Sequence, residues 1–347
     1  MSKHHNSSAH FNSRKHPSNP YSSPINIALL ARQFPDLCDH VISRSSNGHV
    51  VYDWHAPGAT YAVTRALLKR DFDLEWQQPL QHLCPPVPGR MNYLLWVQDL
   101  ALQDGAAAAA DVCVADIGTG ASAIFPLMGA RRFGWSFVAL DSNEDALSHA
   151  RANVERNGLQ QLIAVQHVAG DSSIIDAINA HPNITHTMCN PPFFSASSSS
   201  AWRQRAPAAR AGGRGAMSAC AAVEPELFTQ GGEVAFMRKI IEESAASPCS
   251  RRVKWFTCMV GIKADLAALK SACYSAGATQ LRCTTFYQGQ TLRWGLAWTF
   301  LPELHAAGAV KRALEEGGVE ADIDPAACTR ALKRSTVTDA ALQQEDQ

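Results

Sequence analysis

From residue 112 to residue 300 the chain alternates short apolar runs with stretches of helical periodicity, and this alternation most constrains its fold. Strand-like runs occupy residues 112–116, 135–141, 162–168, 184–189 and 253–259. Helical patterns lie between them at 121–131, 143–157 (ended by Gly158), 172–179, 233–244 and 265–276. Residues 280–287 and 292–300 read as a closing antiparallel pair. Seven strands interleaved with helices predict an α/β protein with a doubly wound, seven-stranded Rossmann-like sheet.

The flanks differ in character. Residues 1–25 are rich in Ser, His, Asn and Pro, contain Lys3, Arg14 and Lys15, and carry no acid. They read as a disordered basic arm that orders near Tyr21–Asn26. Residues 26–105 read as an N-terminal helical extension, with helices at 27–34, 60–72 and 91–102. A polar connector with Gly48 and Pro57 joins the first two, and the stiff Pro-rich stretch 84–90 precedes the third. The alternating domain spans 106–301, and a flexible or helical tail follows at 302–347.

The 31 basic and 31 acidic residues cancel, so any nucleic-acid surface must be local. The 10 cysteines contain no Cys-x-x-Cys pair and no apolar signal segment precedes them, which predicts reduced intracellular thiols and no metal. No stretch reaches the ~20 apolar residues of a membrane span.

Two motifs carry chemistry. The segment from Asp116 to Ser122 (DIGTGAS) joins a strand to a helix. Its glycines let backbone approach a cofactor, and Asp141, ending the next strand, can accept both hydroxyls of an adenosine ribose. A dinucleotide site has the same features, a plain turn explains the glycines, and a helix N-cap explains Asp141. The fourth strand separates these readings, because it ends in Asn190-Pro191-Pro192-Phe193. An exocyclic amino group is a poor nucleophile until acceptors hold its hydrogens and turn its lone pair outward. The Asn190 side-chain oxygen and the Pro191 carbonyl can do so. The prolines stiffen the backbone, and Phe193 offers a flat face to a base. These residues predict methyl transfer from S-adenosyl-L-methionine to such a nitrogen.

Further segments join these two: Pro86-Val-Pro-Gly-Arg90-Met-Asn-Tyr, Trp96-Val-Gln-Asp-Leu100, Gly231-Gly-Glu-Val-Ala-Phe236 and Arg293-Trp-Gly-Leu-Ala-Trp-Thr-Phe300. Together they resemble the methyltransferase-like protein 16 family of RNA adenine-N6 methyltransferases, from about Pro20 to Phe300. That family includes the eukaryotic enzyme of U6 spliceosomal RNA and bacterial enzymes of 23S ribosomal RNA. The resemblance implies a class I methyltransferase fold. It also implies that Arg90 holds the cofactor carboxylate, that Gly118 contacts the cofactor through backbone, that Asp141 holds the ribose and that Ser172 lies near the adenine. Gln290 stands where eukaryotic relatives carry a basic residue, Pro86–Arg90 leans bacterial, and Arg293-Trp294 leans eukaryotic.

Between Phe193 and Glu224 the chain carries Arg203, Arg205, Arg210 and Arg214 and no acid. Residues 195–222 are therefore expected to form a mobile basic insert that clamps phosphates beside a flipped adenosine, with Arg293 as a further RNA contact. Trp202 stacks on a base or anchors this loop. Arg251, Arg252 and Lys254 read as a solvated strand approach, and Trp294 and Trp298 as core. The expected function is RNA adenine-N6 methylation, with U6 RNA the first substrate and large-subunit ribosomal RNA the alternative. The expected partner is a structured RNA hairpin rather than DNA or membrane. The chain is expected to be a monomer in the nucleus, with the cytoplasm as the alternative. Two competing classes are a protein glutamine-amide methyltransferase and a catalytically weak RNA-binding protein.

Overall fold

A computed structural model describes residues 15–46, 50–169, 172–192, 194–195, 228–288 and 291–302. The sheet is built from β3 (Cys113–Ile117), β4 (Ser136–Asp141), β5 (Ile163–His167) and β6 (His186–Cys189), all parallel in the order β5-β4-β3-β6. A second sheet has the order β10-β11-β9, from β9 (Phe256–Val260), β10 (Gln280–Gln288) and β11 (Thr291–Thr299). Its strands pair antiparallel, with Gln280 opposite Thr299 and Trp298 opposite Phe256. The sheets meet along β6 and β9, where His186 bridges Trp255 in parallel sense and the Thr187 N–H donates to the Trp255 carbonyl at 3.0 Å. The expected alternation therefore appears as four parallel strands continued by three antiparallel ones.

Both faces of the parallel sheet are covered, which explains its unbroken apolar runs. Along β3, Val114 joins one buried cluster while Ala115 and Ile117 join the other, as a period of two requires. The first layer holds α2 (Ala59–Phe72), α3 (Val87–Gln103) and α4 (Ile124–Phe133). The second holds α6 (Ile174–Asn179), α7 (Gly232–Ala246) and α8 (Lys263–Ser275). Trp294 is partly buried against this layer, and Trp298 is fully buried and stacks on Phe256 at 5.7 Å between ring centroids.

Several local expectations change. The second half of the Pro-rich stretch, residues 87–90, is the first turn of α3 rather than a separate approach, since proline is tolerated where no helical N–H is needed. This puts Arg90 on the same helix as Tyr93. The connector after α1 (Ile27–Gln33) contains a short antiparallel ribbon of β1 (Val41–Arg44) and β2 (Val50–Tyr52). The arm docks earlier than Tyr21: His16 lies 2.8 Å from Asp99, and Asn19 donates to Asn92 Oδ1 at 2.6 Å. Those partners sit on α3 and are invisible to local periodicity. The Arg252 guanidinium is a structural tie, donating to the carbonyls of Ile178 at 2.6 Å and Ile184 at 3.0 Å, and Lys254 reaches the Asp104 carbonyl at 3.5 Å. Residues 1–14 and 303–347 lie outside the described residues. Among the described residues, no helix is long and apolar enough to cross a membrane.

The extension is bound to the core by paired polar side chains. On α5 (Glu144–Arg156), Asn153 exchanges hydrogen bonds with the Gln77 backbone at 2.7 and 3.0 Å. Just after it, Asn157 does the same with Glu75, at 2.8 Å in both directions. Trp76 between them donates to the Ser122 carbonyl at 3.0 Å. The extension thus forms one wall of the space beyond the strand ends.

Candidate active site

The carboxyl ends of β3, β4 and β6 open on one side, at the switch point between the neighbouring strands β3 and β6; ligands bind at this position in open α/β sheets. A cavity of about 630 Å3 lies there, within the usual range for a small-molecule site. Arg90, Gly118, Asp141, Ser172, Asn190 and Pro192 all line it. Pro191 is buried beside it, and Phe193 lies outside the described residues.

The turn after β3 is held open by backbone conformation. Gly118 and Gly120 have φ of +75° and +62°, and a Cβ on either would meet nothing within 4 Å. Glycine is therefore required for the left-handed turn, and the space beside it is free. The Gly118 and Thr119 N–H groups donate to the Leu140 carbonyl at 2.9 and 3.0 Å. Asp141 then ties the turn to the end of β4: Oδ2 accepts from the Gly120 N–H at 2.8 Å and Oδ1 from the Asn143 N–H at 2.9 Å. Asn143, not Asp141, caps α5, accepting from the Asp145 and Ala146 N–H groups. Asp141 keeps acceptor capacity for two hydroxyls, since each carboxylate oxygen can take a second bond.

Two ionisable groups here are buried and feel each other's charge. Arg90 is 8% exposed and touches the Met259 sulfur at 4.0 Å and the Phe125 ring at 5.5 Å. Burial, reinforced by the nearby Arg293 charge, pulls its guanidinium down to about 10. A planar cation so desolvated suits a carboxylate. Asp116, at 1% exposure, is pushed up to about 7, chiefly by burial and then by the Asp141 charge, with Thr119 and Arg90 pulling the other way. Its Oδ2 has no hydrogen-bond partner among the described residues. Asn190 Oδ1, on the cavity wall, is likewise a buried acceptor with no described partner. A zwitterionic amino-acid group beside an adenosine matches this donor and acceptor set, and an amino group matches Asn190.

Ser172 reaches the cavity from just before α6, whose N-cap is Ser173; the helix starts later than the periodicity implied. Ser173 Oγ donates to Glu243 Oε2 at 2.8 Å, and Lys239 lies 3.7 Å from Glu243 on α7. Phe236, Lys239 and Glu243 line the cavity and were not singled out as site residues. The sequence signals were an i,i+4 charge pair on a helix after the insert for Lys239 and Glu243, and for Phe236 its place at the end of the 231–236 segment. Glu233 at the start of α7 is 2% exposed and accepts from the Gly261 N–H at 2.8 Å and the Ile262 N–H at 3.1 Å. That bond fixes α7 against the turn after β9 and accounts for an acid in the Gly231-Gly-Glu segment. Arg293 is half-buried and close enough for its charge to bear on Arg90, while Trp202, Arg203, Arg205, Arg210 and Arg214 lie outside the described residues. The insert leaves and returns through a parallel pair, β7 (Phe194–Ser195) and β8 (Phe228–Thr229).

A family profile described as RNA methyltransferase matches residues 9–302. The human RNA N(6)-adenosine-methyltransferase METTL16 is 36% identical over 296 residues, covering 83% of this chain and 51% of that protein. The Caenorhabditis elegans U6 small nuclear RNA (adenine-(43)-N(6))-methyltransferase is 34% identical over 356 residues, covering 96% and 71%. Ribosomal RNA large subunit methyltransferase F of Pseudomonas syringae is 32% identical over 311 residues, covering 84% and 91%. The chain spans about half the length of the vertebrate relatives it matches. Among solved structures, the human METTL16 catalytic domain with a MAT2A 3′UTR hairpin superposes with a TM-score of 0.72 at 35% identity, covering 84% of this chain and 99% of that one. The N-terminal domain of human METTL16 in complex with SAH superposes at 0.67 with 34% identity, covering 83% and 99%. A Rossmann-like core carrying this turn, this acid and this asparagine, in a chain matched over residues 9–302, belongs to the RNA methyltransferase family.

Proposed function

We propose that this chain transfers a methyl group from S-adenosyl-L-methionine to the N6 amino group of an adenosine flipped out of a structured RNA, with U6 spliceosomal RNA as the substrate and the nucleus as the place of action. The observation that carries the reading is the buried Asn190 Oδ1, which has no described partner and faces the same cavity as Arg90, Gly118 and Asp141. Residues 106–301 are the catalytic unit, and the extension at 26–105 supplies Arg90.

When bound, S-adenosyl-L-methionine supplies an electrophilic methyl group. Arg90 holds a carboxylate, Asp116 faces an ammonium, Asp141 accepts ribose hydroxyls, and Ser172 borders the adenine side. Asn190 Oδ1 and the Pro191 carbonyl accept the two amino hydrogens and turn the nitrogen lone pair toward the methyl, while Phe193 stacks on the base. These contacts would hold the nitrogen lone pair in line with that methyl, and the proton the amino group sheds would leave to water. Positioning supplies most of the rate.

Support for RNA comes from the METTL16 structure solved with an RNA hairpin and from the relative named for U6 RNA. A second reading, large-subunit ribosomal RNA, is favoured by one observation: the match spans 91% of the bacterial methyltransferase F. The test is methylation of a U6 hairpin and a 23S fragment by the wild type and Asn190→Ala, using labelled cofactor. The expected result is U6 labelling that falls ~100-fold or more in the variant, with cofactor affinity retained. Labelling of the ribosomal fragment alone selects the second reading. A variant within a few-fold of wild type removes Asn190 from the chemistry.

A further inference from the structure

We propose that His82, Asp145 and His149 bind a divalent cation of the zinc type, bracing the turn beside the cofactor wall against α5. One ligand atom from each lies within 4.8 Å of the other two. Local spacing gives no hint of this, because His82 comes from the extension and the other two from the core.

The site is built before any ion arrives. His82 is 1% exposed, and its N–H donates to the Pro79 carbonyl at 3.1 Å. Gln78 Nε2 donates to the carbonyls of His82 at 3.3 Å and Leu83 at 3.2 Å, so the turn carrying the imidazole is set. Asp145 and His149 are four residues apart on α5 and share a face one turn apart. His82 Nε2 lies 3.7 Å from Asp145 Oδ2. Two ligands on one tetrahedral ion, with bonds of ~2.0–2.1 Å, stand about 3.4 Å apart, so this pair needs a shift of a few tenths of an ångström, while the His149 nitrogen, within 4.8 Å of both, closes by a side-chain rotation. The His82 and His149 rings meet edge-on, with centroids 5.9 Å apart and planes at 63°. One ring nitrogen of each lies within 4.8 Å of the other and of an Asp145 oxygen.

The ligand chemistry selects the metal. Two imidazoles with one carboxylate suit zinc or cobalt and disfavour calcium and magnesium, which want oxygen. The Asp145 side chain is 74% exposed, which leaves an approach for the ion and room for water as fourth ligand. Leu83 and Ala146, the chain neighbours of His82 and Asp145, both line the cavity. A bound ion would therefore hold two parts of the cofactor wall together without touching the reacting atoms.

The test uses the full chain, stripped with chelator and titrated with Co2+, followed by visible absorption. The comparison is the double variant Asp145→Ala with His149→Ala. Neither side chain is buried, so the fold is expected to survive, and circular dichroism confirms it. His82 is left intact. The wild type is expected to bind one more Co2+ than the double variant, with the intense bands of a tetrahedral ion. Zn2+ is expected to displace that ion and raise the wild-type melting temperature while leaving the variant unmoved. The N-terminal histidines and the thiols are common to both proteins and cancel in the comparison. Equal stoichiometry and equal spectra in the two proteins would overturn the proposal.

Discussion

The Tyr93 hydroxyl accepts a hydrogen bond from the Cys189 N–H at 3.2 Å, so a helix of the N-terminal extension holds the residue immediately before Asn190. The same hydroxyl lies 2.7 Å from Thr257 Oγ1, which donates to the Thr187 carbonyl at 2.7 Å. One phenol thereby links α3, β6 and β9 at the end of the strand that leads into Asn190. Tyr93→Phe leaves a buried N–H without its acceptor, costing about 1–3 kcal/mol of stability. Because the base acceptor is displaced and the cofactor pocket is not, turnover is expected to drop while cofactor affinity stays within about twofold of wild type. Single-turnover rates beside cofactor titration check this; equal loss in both would mean a general structural defect.

Arg90→Ala and Asp141→Ala are each expected to weaken S-adenosylmethionine binding by about 1.5–3 kcal/mol, the range of a charge-assisted contact. The second also frees the Gly120 N–H and loosens the turn, so it is expected to be the less stable variant. Titration calorimetry on folded proteins decides; unchanged affinity in both places the cofactor elsewhere.

Asp116 makes the chain pH-sensitive. Its folded carboxyl stands at about 7 against an ordinary 3.8. Between about pH 4 and 7 the native state keeps a proton that the unfolded chain has lost, so this group lowers stability as pH rises and then levels off. Asp116→Asn is expected to flatten that decline in a melting series. An ammonium placed beside the carboxylate reverses the shift. At pH 6.5, cofactor binding to the wild type is expected to release a large fraction of one proton more than binding to the variant. Calorimetry in two buffers of different ionisation enthalpy reads this directly, and equal proton release in both proteins rules the contact out.

Gly295 sits where α3 presses on β11. A Cβ there would lie 2.8 Å from both Trp96 Cζ3 and Thr284 Cγ2, and 2.9 Å from Phe286 Cζ. Gly295→Ala is expected to destabilise by about 1–3 kcal/mol through overpacking. Chemical denaturation measures it, and a change below about 0.5 kcal/mol would show that the rings yield freely.

Replacing Arg203, Arg205, Arg210 and Arg214 together by Ala is expected to weaken RNA binding and flatten its salt dependence. Each lost phosphate contact reduces the logarithmic slope by about 0.7–0.9. Affinity across a salt series is the measurement, and identical slopes would assign RNA binding to other surfaces.

The sequence by itself determined the alternating strands, the glycine turn at Gly118 and Gly120, and the tetrapeptide at the end of β6. These are local properties: a period of two or 3.6, a left-handed φ, a ring that restricts its neighbour. Arg90 was legible only as part of a resemblance, since nothing near Pro86 says that α3 will lie over the strand ends. Lys239 and Glu243 carried weaker signals, because a charge pair reads as ordinary until a cavity is known to face it. The Tyr93–Cys189 bond, the Asn153–Gln77 pairing and the His82–Asp145–His149 cluster join segments far apart in the chain. Their side chains meet because the extension packs against α5 and the sheet ends, and that packing is settled by the whole buried surface rather than by any local pattern.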